Sequence, residues 1–356
     1  MLTIPRRGLL TGASALAAYA TLPINAEGLD QGGSYPPSVT RLGLQPIHDL
    51  WGSTGVGPSG PLPHTPASPQ GGSLPPGWSI GGGNILICNG DASVANYDFS
   101  GYIVQLNSPN SSTLRTISFV NCRFSNPPSG RQSVVNYNPV GYIYKVTFTN
   151  CYFGSSATAG SGFDDALVFC TGFVTGSAFT NCQFETSSVG FIDTSGDVTI
   201  SNCTFGCPGL GTDNVDQHYN YIRHNGDYTA NGGMIITNSI SDVTPPADVS
   251  SIVIGPENIF SQANASSAGG ANTCTITVSN FIQRGLAAFA AICDGGASGF
   301  TGGPASTGQG PGGQKVSISV SNSAISKDFN GLNYEQGAGT TISHSDNRDY
   351  GTNALV

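Results

Sequence analysis

The chain contains very few charged residues. Only 9% of its 356 residues are Asp, Glu, Lys or Arg, and 12 basic residues stand against 21 acidic ones, for a formal net charge of −9. Trp and Met are equally scarce, with two of each, whereas Gly and Pro number 50 and 22. Because long helices are built mainly from Ala, Leu, Glu and Lys, this composition indicates strands and turns.

The shortage of basic residues also limits the partners. Nucleic acids are bound through clustered Lys and Arg, so an acidic chain is a poor candidate for that role. Strongly anionic polysaccharides are disfavoured as well, unless a local basic patch or a bound cation intervenes. One modest basic group exists, which we interpret as a solvated face, while binding of an acidic sugar stays open: Arg115, Arg123, Arg131 and Lys145.

The sequence lacks any apolar run of the roughly 20 residues that a membrane-spanning helix needs. Its start carries a twin arginine, Arg6 and Arg7, followed by about 15 mildly apolar residues and a small-residue pattern. This resembles a bacterial twin-arginine export signal over residues 1–26, with cleavage after Ala20 or Ala26. We therefore expect an exported protein, periplasmic or secreted, with no membrane span after removal of the signal.

A short phrase recurs along the middle of the chain, after a Pro/Gly-rich lead-in or linker at 27–77. It reads T-I-S-F-V-N-C-R-F at 116–124 and V-T-F-T-N-C-Y-F at 146–153, and S-A-F-T-N-C-Q-F, V-T-I-S-N-C-T-F and a degraded I-I-T-N-S-I follow. Before the Asn, apolar residues occupy alternate positions of the strand, and after it they occupy the other set of alternate positions. The inward face therefore changes side at the Asn, which places a corner there. Asn tolerates the left-handed backbone that such a corner needs. The corner residues are Asn121, Asn150, Asn181, Asn202 and Asn238.

Stacking of these repeats would place the Asn amides in a ladder about 4.8 Å apart. The repeat length is irregular, so the longer repeats must carry loops, which in such proteins often form the binding face. Four cysteines share one inward position and predict a stack of buried thiols, although disulfides between neighbouring repeats stay open. These four are Cys122, Cys151, Cys182 and Cys203.

The repeated strand with its fixed Asn corner resembles the right-handed parallel β-helix proteins of the pectate-lyase-like superfamily. The resemblance covers roughly residues 78–349 and does not single out one family. It implies an all-β chain in which residues 78–356 form a single-domain right-handed parallel β-helix, a solenoid. A polar C-terminal cap is expected at S-H-S-D-N-R-D-Y (343–350), because the last repeat needs one.

Residues 211–228 concentrate groups that sugar sites use. Carboxylates and imidazoles serve as acids and bases, a guanidinium binds a carboxyl group, and aromatic rings stack on pyranose faces. By their distance from the repeated Cys, segments 164–169, 189–193 and 216–221 are expected to be one strand in three successive repeats. Asp165 and Asp216 would then lie roughly 9–10 Å apart, near the upper limit for an inverting glycosidase.

The phrase G-F-D-D-A-L at 162–167 is similar to the paired-Asp strand of polygalacturonase-like hydrolases, but the companion His motif and the Arg-x-Lys are absent. A simple turn-capping role for these Asp residues stays open. The candidate catalytic residues are Asp165, Asp193, Asp213, Asp216, His218 and Arg223. The candidate substrate-binding residues are Asp164, Tyr219, Tyr221, His224, Asp227 and Tyr228.

Two functions follow. The first is an exported carbohydrate-active protein that cleaves a polysaccharide in a groove along the repeats. A glycoside hydrolase would use the Asp residues as acid and base. A polysaccharide lyase would use His218 or Tyr219 to remove the proton beside a uronate carboxyl group that Arg223 or a cation neutralises.

The alternative function is a non-catalytic envelope or surface protein that binds glycan or acts as a spacer, which would need mainly a flat aromatic or Asn/Thr face. No cofactor is required by either function, a calcium ion is compatible with both, and no metal ligands are assigned. The oligomeric state is not set by the sequence.

Overall fold

The computed structural model describes the chain in several stretches. Apart from Tyr35, the described residues belong to the compact unit Pro36–Val356. The described residues are 35–51, 53, 55–60, 62, 64, 73–107, 114–128, 132–136, 144–155, 166–185, 190–206, 220–225, 231–243, 257–264, 273–285, 288–294, 315–326, 333–336 and 339–356.

Regular structure in this unit is almost entirely β-strand. Strand β1 (Trp78–Ile80) pairs antiparallel with β2 (Ile85–Cys88). All other pairings between the described strands are parallel. Two short helices, α1 (Pro37–Leu42) and α2 (Gln45–His48), precede the strands. The prediction of an all-β chain is therefore confirmed.

The strands fall into repeats with a first, a middle and a last position, and each strand pairs with its equivalent in the next repeat. The first position is filled by β2, β4 (Ile103–Leu106), β7 (Val134–Val135), β10 (Val168–Thr180), β12 (Gly190–Ser201), β14 (Asn220–Asn225), β16 (Glu257–Asn264), β18 (Ala288–Asp294) and β21 (Asn333–Gln336). The middle position is filled by β3 (Ala92–Ala95), β5 (Arg115–Val120), β8 (Tyr144–Thr149), the second halves of β10 and β12, β15 (Asn231–Val243), β17 (Thr273–Gly285), β19 (Lys315–Ser321) and β22 (Thr340–Ser345). The last position is filled by β6 (Arg123–Ser125), β9 (Tyr152–Gly154), β11 (Gln183–Phe184), β13 (Thr204–Phe205), the second halves of β15 and β17, β20 (Ala324–Ile325) and β23 (Arg348–Asp349).

A left-handed residue joins each middle strand to the last strand of its repeat. All five Asn residues of the repeated phrase adopt it, with φ angles of 54°, 54°, 53°, 53° and 49° from Asn121 to Asn238. Asn96, Asn280, Asn322 and Asp346 occupy the same position in the other repeats, with φ between 45° and 60°. The predicted corner is therefore confirmed, and we call this row of nine residues the Asn corner.

The change of parity at the corner turns two rows of phenylalanine rings into the interior. Phe119, Phe148 and Phe179 stack from one middle strand to the next, with ring centroids 5.0 and 4.8 Å apart. Phe124 and Phe153 stack in the same way on the last strands, at 5.0 Å. The two rows meet edge to face, as between Phe119 and Phe124 at 5.3 Å. Each such ring pair contributes about 0.5–1.5 kcal/mol beyond its burial.

The repeated cysteines lie in the interior beside these rings. All four are fully buried and unpaired, so the predicted thiol stack is confirmed and these cysteines form no disulfides with one another. The Cys182 thiol donates to the Phe148 carbonyl oxygen one repeat earlier at 3.4 Å. Burial raises the pKa of Cys182 and of Cys203 well above the usual value, so both remain protonated and unreactive.

The lead-in at 27–77 lies against the repeats where it is described. Val39, Leu44 and Ile47 of the α1–α2 segment pack on Ile240 and Ile282, which face outward from the last strands. Further along, the lead-in follows the Asn corner back toward the first repeat. There its main chain bonds to the main chain of two corner residues in turn, at Asn181 and then at Asn96.

The C-terminal residues close their end of the stack with polar groups. The Asn347 side chain accepts a hydrogen bond from the Ser323 amide at 3.0 Å and donates to the Val320 carbonyl at 2.9 Å. Asp349 accepts from the amide and hydroxyl of Thr352 at 2.7 and 2.6 Å. The polar cap expected at 343–350 falls on these residues.

Replacing a corner Asn tests whether the left-handed backbone is the main constraint. Asn150→Leu should lower the free energy of unfolding by about 1–3 kcal/mol, because a branched side chain is strained at φ 54°. Asn150→Gly should lose less than half as much, because Gly accepts this backbone and loses only the amide. Denaturant unfolding of both variants measures the difference. Equal losses would assign the effect to the amide instead.

Candidate functional site

Three neighbouring first-position strands carry part of the site that the sequence predicts. Val168 of β10 pairs with Ile192 of β12, which pairs with Ile222 of β14. The described parts of these segments belong to equivalent strands of successive repeats, but the register differs from the expected one. Aligning 164–169 with 216–221 would make Val168 equivalent to Asn220, whereas the structure makes it equivalent to Ile222, two residues later.

Asp193 and Arg223 are brought together by this register. They are direct neighbours on β12 and β14, and Arg223 Nη1 lies 3.4 Å from Asp193 Oδ2. Both point to the outer side of their strands and yet are only 4% and 8% exposed. Phe169 and Phe260 occupy the equivalent positions on either side. Asp193, expected to act as an acid or base, is therefore paired with Arg223, expected to neutralise a substrate carboxyl group, and both side chains are buried.

His224 points the opposite way, into the interior. It is fully buried, with Nε2 2.8 Å from the Gly196 carbonyl oxygen and Nδ1 2.7 Å from Cys274 Sγ. Because a carbonyl only accepts, Nε2 carries a proton. Cys274 Sγ also lies 3.2 Å from the main-chain carbonyl oxygen of His224. The sequence assigned His224 to substrate binding. The alternation of the strand instead places it with the core residues, where a polymer on the surface does not reach it.

The environment of His224 changes its acidity. Burial by itself lowers the pKa of His224, whereas the Cys274 sulfur, the Gly196 carbonyl and the Asp193 carboxylate raise it. The net pKa lies above the usual value. Sequence reasoning missed Cys274, because it lies 50 residues further along and meets His224 only through stacking of repeats.

Most of the remaining candidate residues lie outside the described part of the chain. Tyr221 belongs to β14, between Asn220 and Ile222. Those outside are Asp164, Asp165, Asp213, Asp216, His218, Tyr219, Asp227 and Tyr228. Among the described residues, no group of three His, Cys, Asp or Glu side chains is arranged to hold a metal ion.

A regular surface of hydroxyl groups lies on the outer side of the middle strands. In three successive strands, β17, β19 and β22, the three outward positions before the Asn corner are all Ser or Thr, and the rows are in register. The next outward position of β19 is Lys315, at the edge of this surface. We call these nine residues the hydroxyl face: Thr275, Thr277, Ser279, Ser317, Ser319, Ser321, Thr341, Ser343 and Ser345. Strand geometry spaces them about 4.8 Å apart between strands and about 6.8 Å along a strand.

Some of these hydroxyls bond to each other and others face solvent. Ser319 Oγ and Ser343 Oγ are 2.8 Å apart. Ser279 Oγ donates to Thr237 Oγ1 of the preceding repeat at 3.4 Å, so the rows continue beyond the face. Ile235, half exposed, interrupts them there. The alternation T-I-T-V-S, S-I-S-V-S and T-I-S-H-S was visible in the sequence, and was missed because these copies lack the N-C of the phrase.

No known protein family, curated protein or solved structure matches this chain. Function must therefore be argued from the surface chemistry itself. None of the helices in the described residues is long and apolar enough to cross a membrane.

Removing the cation of the buried pair should be costly. Arg223→Met keeps an unbranched stem but leaves the Asp193 carboxylate buried without its guanidinium, which should lower the free energy of unfolding by about 3–5 kcal/mol. The loss should shrink at acidic pH, where the carboxyl group is protonated. Denaturant unfolding across a pH series measures both effects.

The matched control is the double variant Asp193→Asn with Arg223→Met. It removes both charges and should recover most of the lost stability. If Arg223→Met alone is as stable as the unchanged protein, the pair is solvated and the burial assigned to it is wrong.

Proposed function

We propose that this chain is a single-domain right-handed parallel β-helix that binds an ordered, neutral polysaccharide on its hydroxyl face without cleaving it. The β-helix is supported by parallel pairing between successive repeats and by the left-handed corner in each. Right-handedness is supported by the strong general preference of parallel crossover connections for that hand.

The observation that carries the proposed function is the complete three-by-three arrangement of Ser and Thr on β17, β19 and β22. Each hydroxyl offers one donor and two acceptor sites. Because the strands fix the spacing of the rows, the best partner is one whose own hydroxyls recur at fixed distances. Packed chains of a neutral polysaccharide have this property, and two preorganised surfaces lose little entropy when they meet.

The charge of the molecule agrees with a neutral partner. The hydroxyl face contains no charged residue, and the chain carries a net charge of −9. It also contains no carboxylate or imidazole among its nine residues, so it offers none of the acid and base groups that glycosidic cleavage uses. The hydroxyl face is therefore suited to binding a glycan and not to cleaving it.

A second candidate function is cleavage of a polysaccharide by a hydrolase or lyase site near β10, β12 and β14. It is favoured by the pairing of Asp193 with Arg223 in adjacent strands. In addition, the segments that contain Asp165 and His218 immediately precede β10 and β14 in the sequence. This site would be separate from the hydroxyl face, so one protein could carry both.

A bulky charge at the centre of the hydroxyl face should abolish binding. Three insoluble glycans are compared: cellulose, chitin and β-1,3-glucan. Ser319→Arg should weaken adsorption to the one that binds best by about tenfold or more, because the Arg side chain holds the glycan away from the hydroxyl face. Ser93→Arg is the matched control, since it has the same outward position in the first repeat but Asp91 and Ala95 as neighbours. Depletion of the protein from solution measures adsorption.

Failure of the unchanged protein to adsorb to any of these glycans would contradict the proposal, as would equal losses in Ser319→Arg and Ser93→Arg. The same supernatants are assayed for new reducing ends and for the absorbance of unsaturated products. Release of either product would establish the second candidate function, and the absence of both from every polymer would remove it.

The proposal includes export by the twin-arginine route, supported by the sequence around Arg6 and Arg7. Replacing both by Lys should leave the precursor in the cytoplasm, because the export machinery reads the arginine pair itself. Cell fractionation followed by immunoblotting measures the distribution. Unchanged export of the double variant would contradict this route.

A further inference from the structure

A groove of about 430 Å³ lies between the two short helices and the Asn corner. One wall is apolar and consists of Leu42, Leu44, Ile47 and Leu50. The other wall is a row of amides from four successive repeats: Asn181, Asn202, Asn238 and Asn280. Its volume is within the range of sites that bind small molecules or short chain segments. The hydroxyl face, which lies on the outer side of the middle strands, does not contribute to this lining.

The amides at one end of the groove already bond to each other. Asn280 Nδ2 donates to Asn238 Oδ1 at 3.2 Å, and Asn322 Nδ2 donates to Asn280 Oδ1 at 2.6 Å. Asn181 and Asn202 differ, because no other described residue forms a hydrogen bond with either side-chain amide. Each therefore offers two donors and an acceptor to whatever enters the groove.

At another position of the Asn corner, the side-chain amide of Asn121 binds the main chain of the lead-in. Asn121 Oδ1 accepts from the Ser59 amide at 2.6 Å, and Asn121 Nδ2 donates to the Ser59 carbonyl oxygen at 3.2 Å. One corner amide thus bonds to both main-chain groups of a single residue. Asn121 Nδ2 also lies 2.6 Å from Asn96 Oδ1. Recognition of this kind depends on the peptide main chain and not on the side chain of the bound residue.

The groove is continuous with this contact. The Gly57 amide donates to the main-chain carbonyl of Asn181 at 2.8 Å. The approach is close, because a Cβ on Gly57 would lie 2.8 Å from Gln183 Oε1. Asn181 therefore marks the point where the bound lead-in and the groove meet, and the groove prolongs a surface that already holds polypeptide.

We propose that the groove binds an extended segment of another polypeptide. The Asn202 amide holds the main chain of the segment as Asn121 holds Ser59, and its apolar side chains contact Leu42, Leu44 and Leu50. A segment with few charges fits best, since none of the groove residues is charged. A glycan is the competing occupant, but the existing contact of the corner is with a peptide main chain.

The test uses a phage-displayed library of random 12-residue peptides, selected on the full protein and counter-selected on Asn202→Gly. Gly keeps the left-handed backbone, at φ 53°, and removes only the amide. Synthetic copies of the enriched peptides should bind Asn202→Gly about tenfold or more weakly than the unchanged protein. Leu42→Gln, on the opposite wall, should weaken them as well, which keeps the test decisive if Asn202→Gly folds poorly.

Asn84→Gly is the matched control, because Asn84 has φ 60° and lies in the first repeat, outside the groove. It should bind the peptides like the unchanged protein. The proposal is overturned if no enriched peptide depends on Asn202, or if soluble cellohexaose binds and loses its affinity in Asn202→Gly. Adsorption of Asn202→Gly to insoluble glycans should equal that of the unchanged protein. Failure of the peptide-binding proposal can therefore be distinguished from failure of glycan binding on the hydroxyl face.

Discussion

The structure depends on one backbone constraint, the left-handed residue that ends each middle strand. An L-residue other than Gly reaches this conformation at a cost, and Asn bears that cost best because its short polar side chain bonds locally. With φ fixed near 50° in repeat after repeat, every last strand leaves its middle strand in the same direction. The same-face rings and thiols then stack from one repeat to the next, and the parallel pairing follows.

The corner also creates the polar surfaces. Because parity reverses there, the outward positions of the middle strands are set independently of those of the last strands. On the middle strands β17, β19 and β22 they form the hydroxyl face. On the last strands they include apolar residues such as Ile240 and Ile282, which are covered by α1 and α2. The lead-in is held between these surfaces by hydrogen bonds to the Asn corner, so a segment that reads as a linker is part of the packed unit.

The candidate site illustrates the limits of reading a sequence of this kind. The position of 189–193 in the repeat singled out Asp193, and the polar cluster at 211–228 singled out Arg223; the structure makes the two residues direct neighbours. The cross-strand partner of each side chain could not be predicted in the same way, because a shift of two residues keeps the inward and outward pattern while changing every partner. His224 was grouped with its charged neighbours in the sequence, whereas strand alternation turns it toward Cys274 in another repeat.

The sequence by itself determined the all-β character, the Asn corner and the buried thiol stack. These follow from local rules: which residues tolerate a left-handed backbone, and which positions alternate between inside and outside. Only the tertiary structure decided which strands are neighbours. It pairs the buried charges of Asp193 and Arg223, and it places three strands rich in Ser and Thr side by side in register. Such features join residues tens of positions apart through loops of variable length, and loop length carries little information about register.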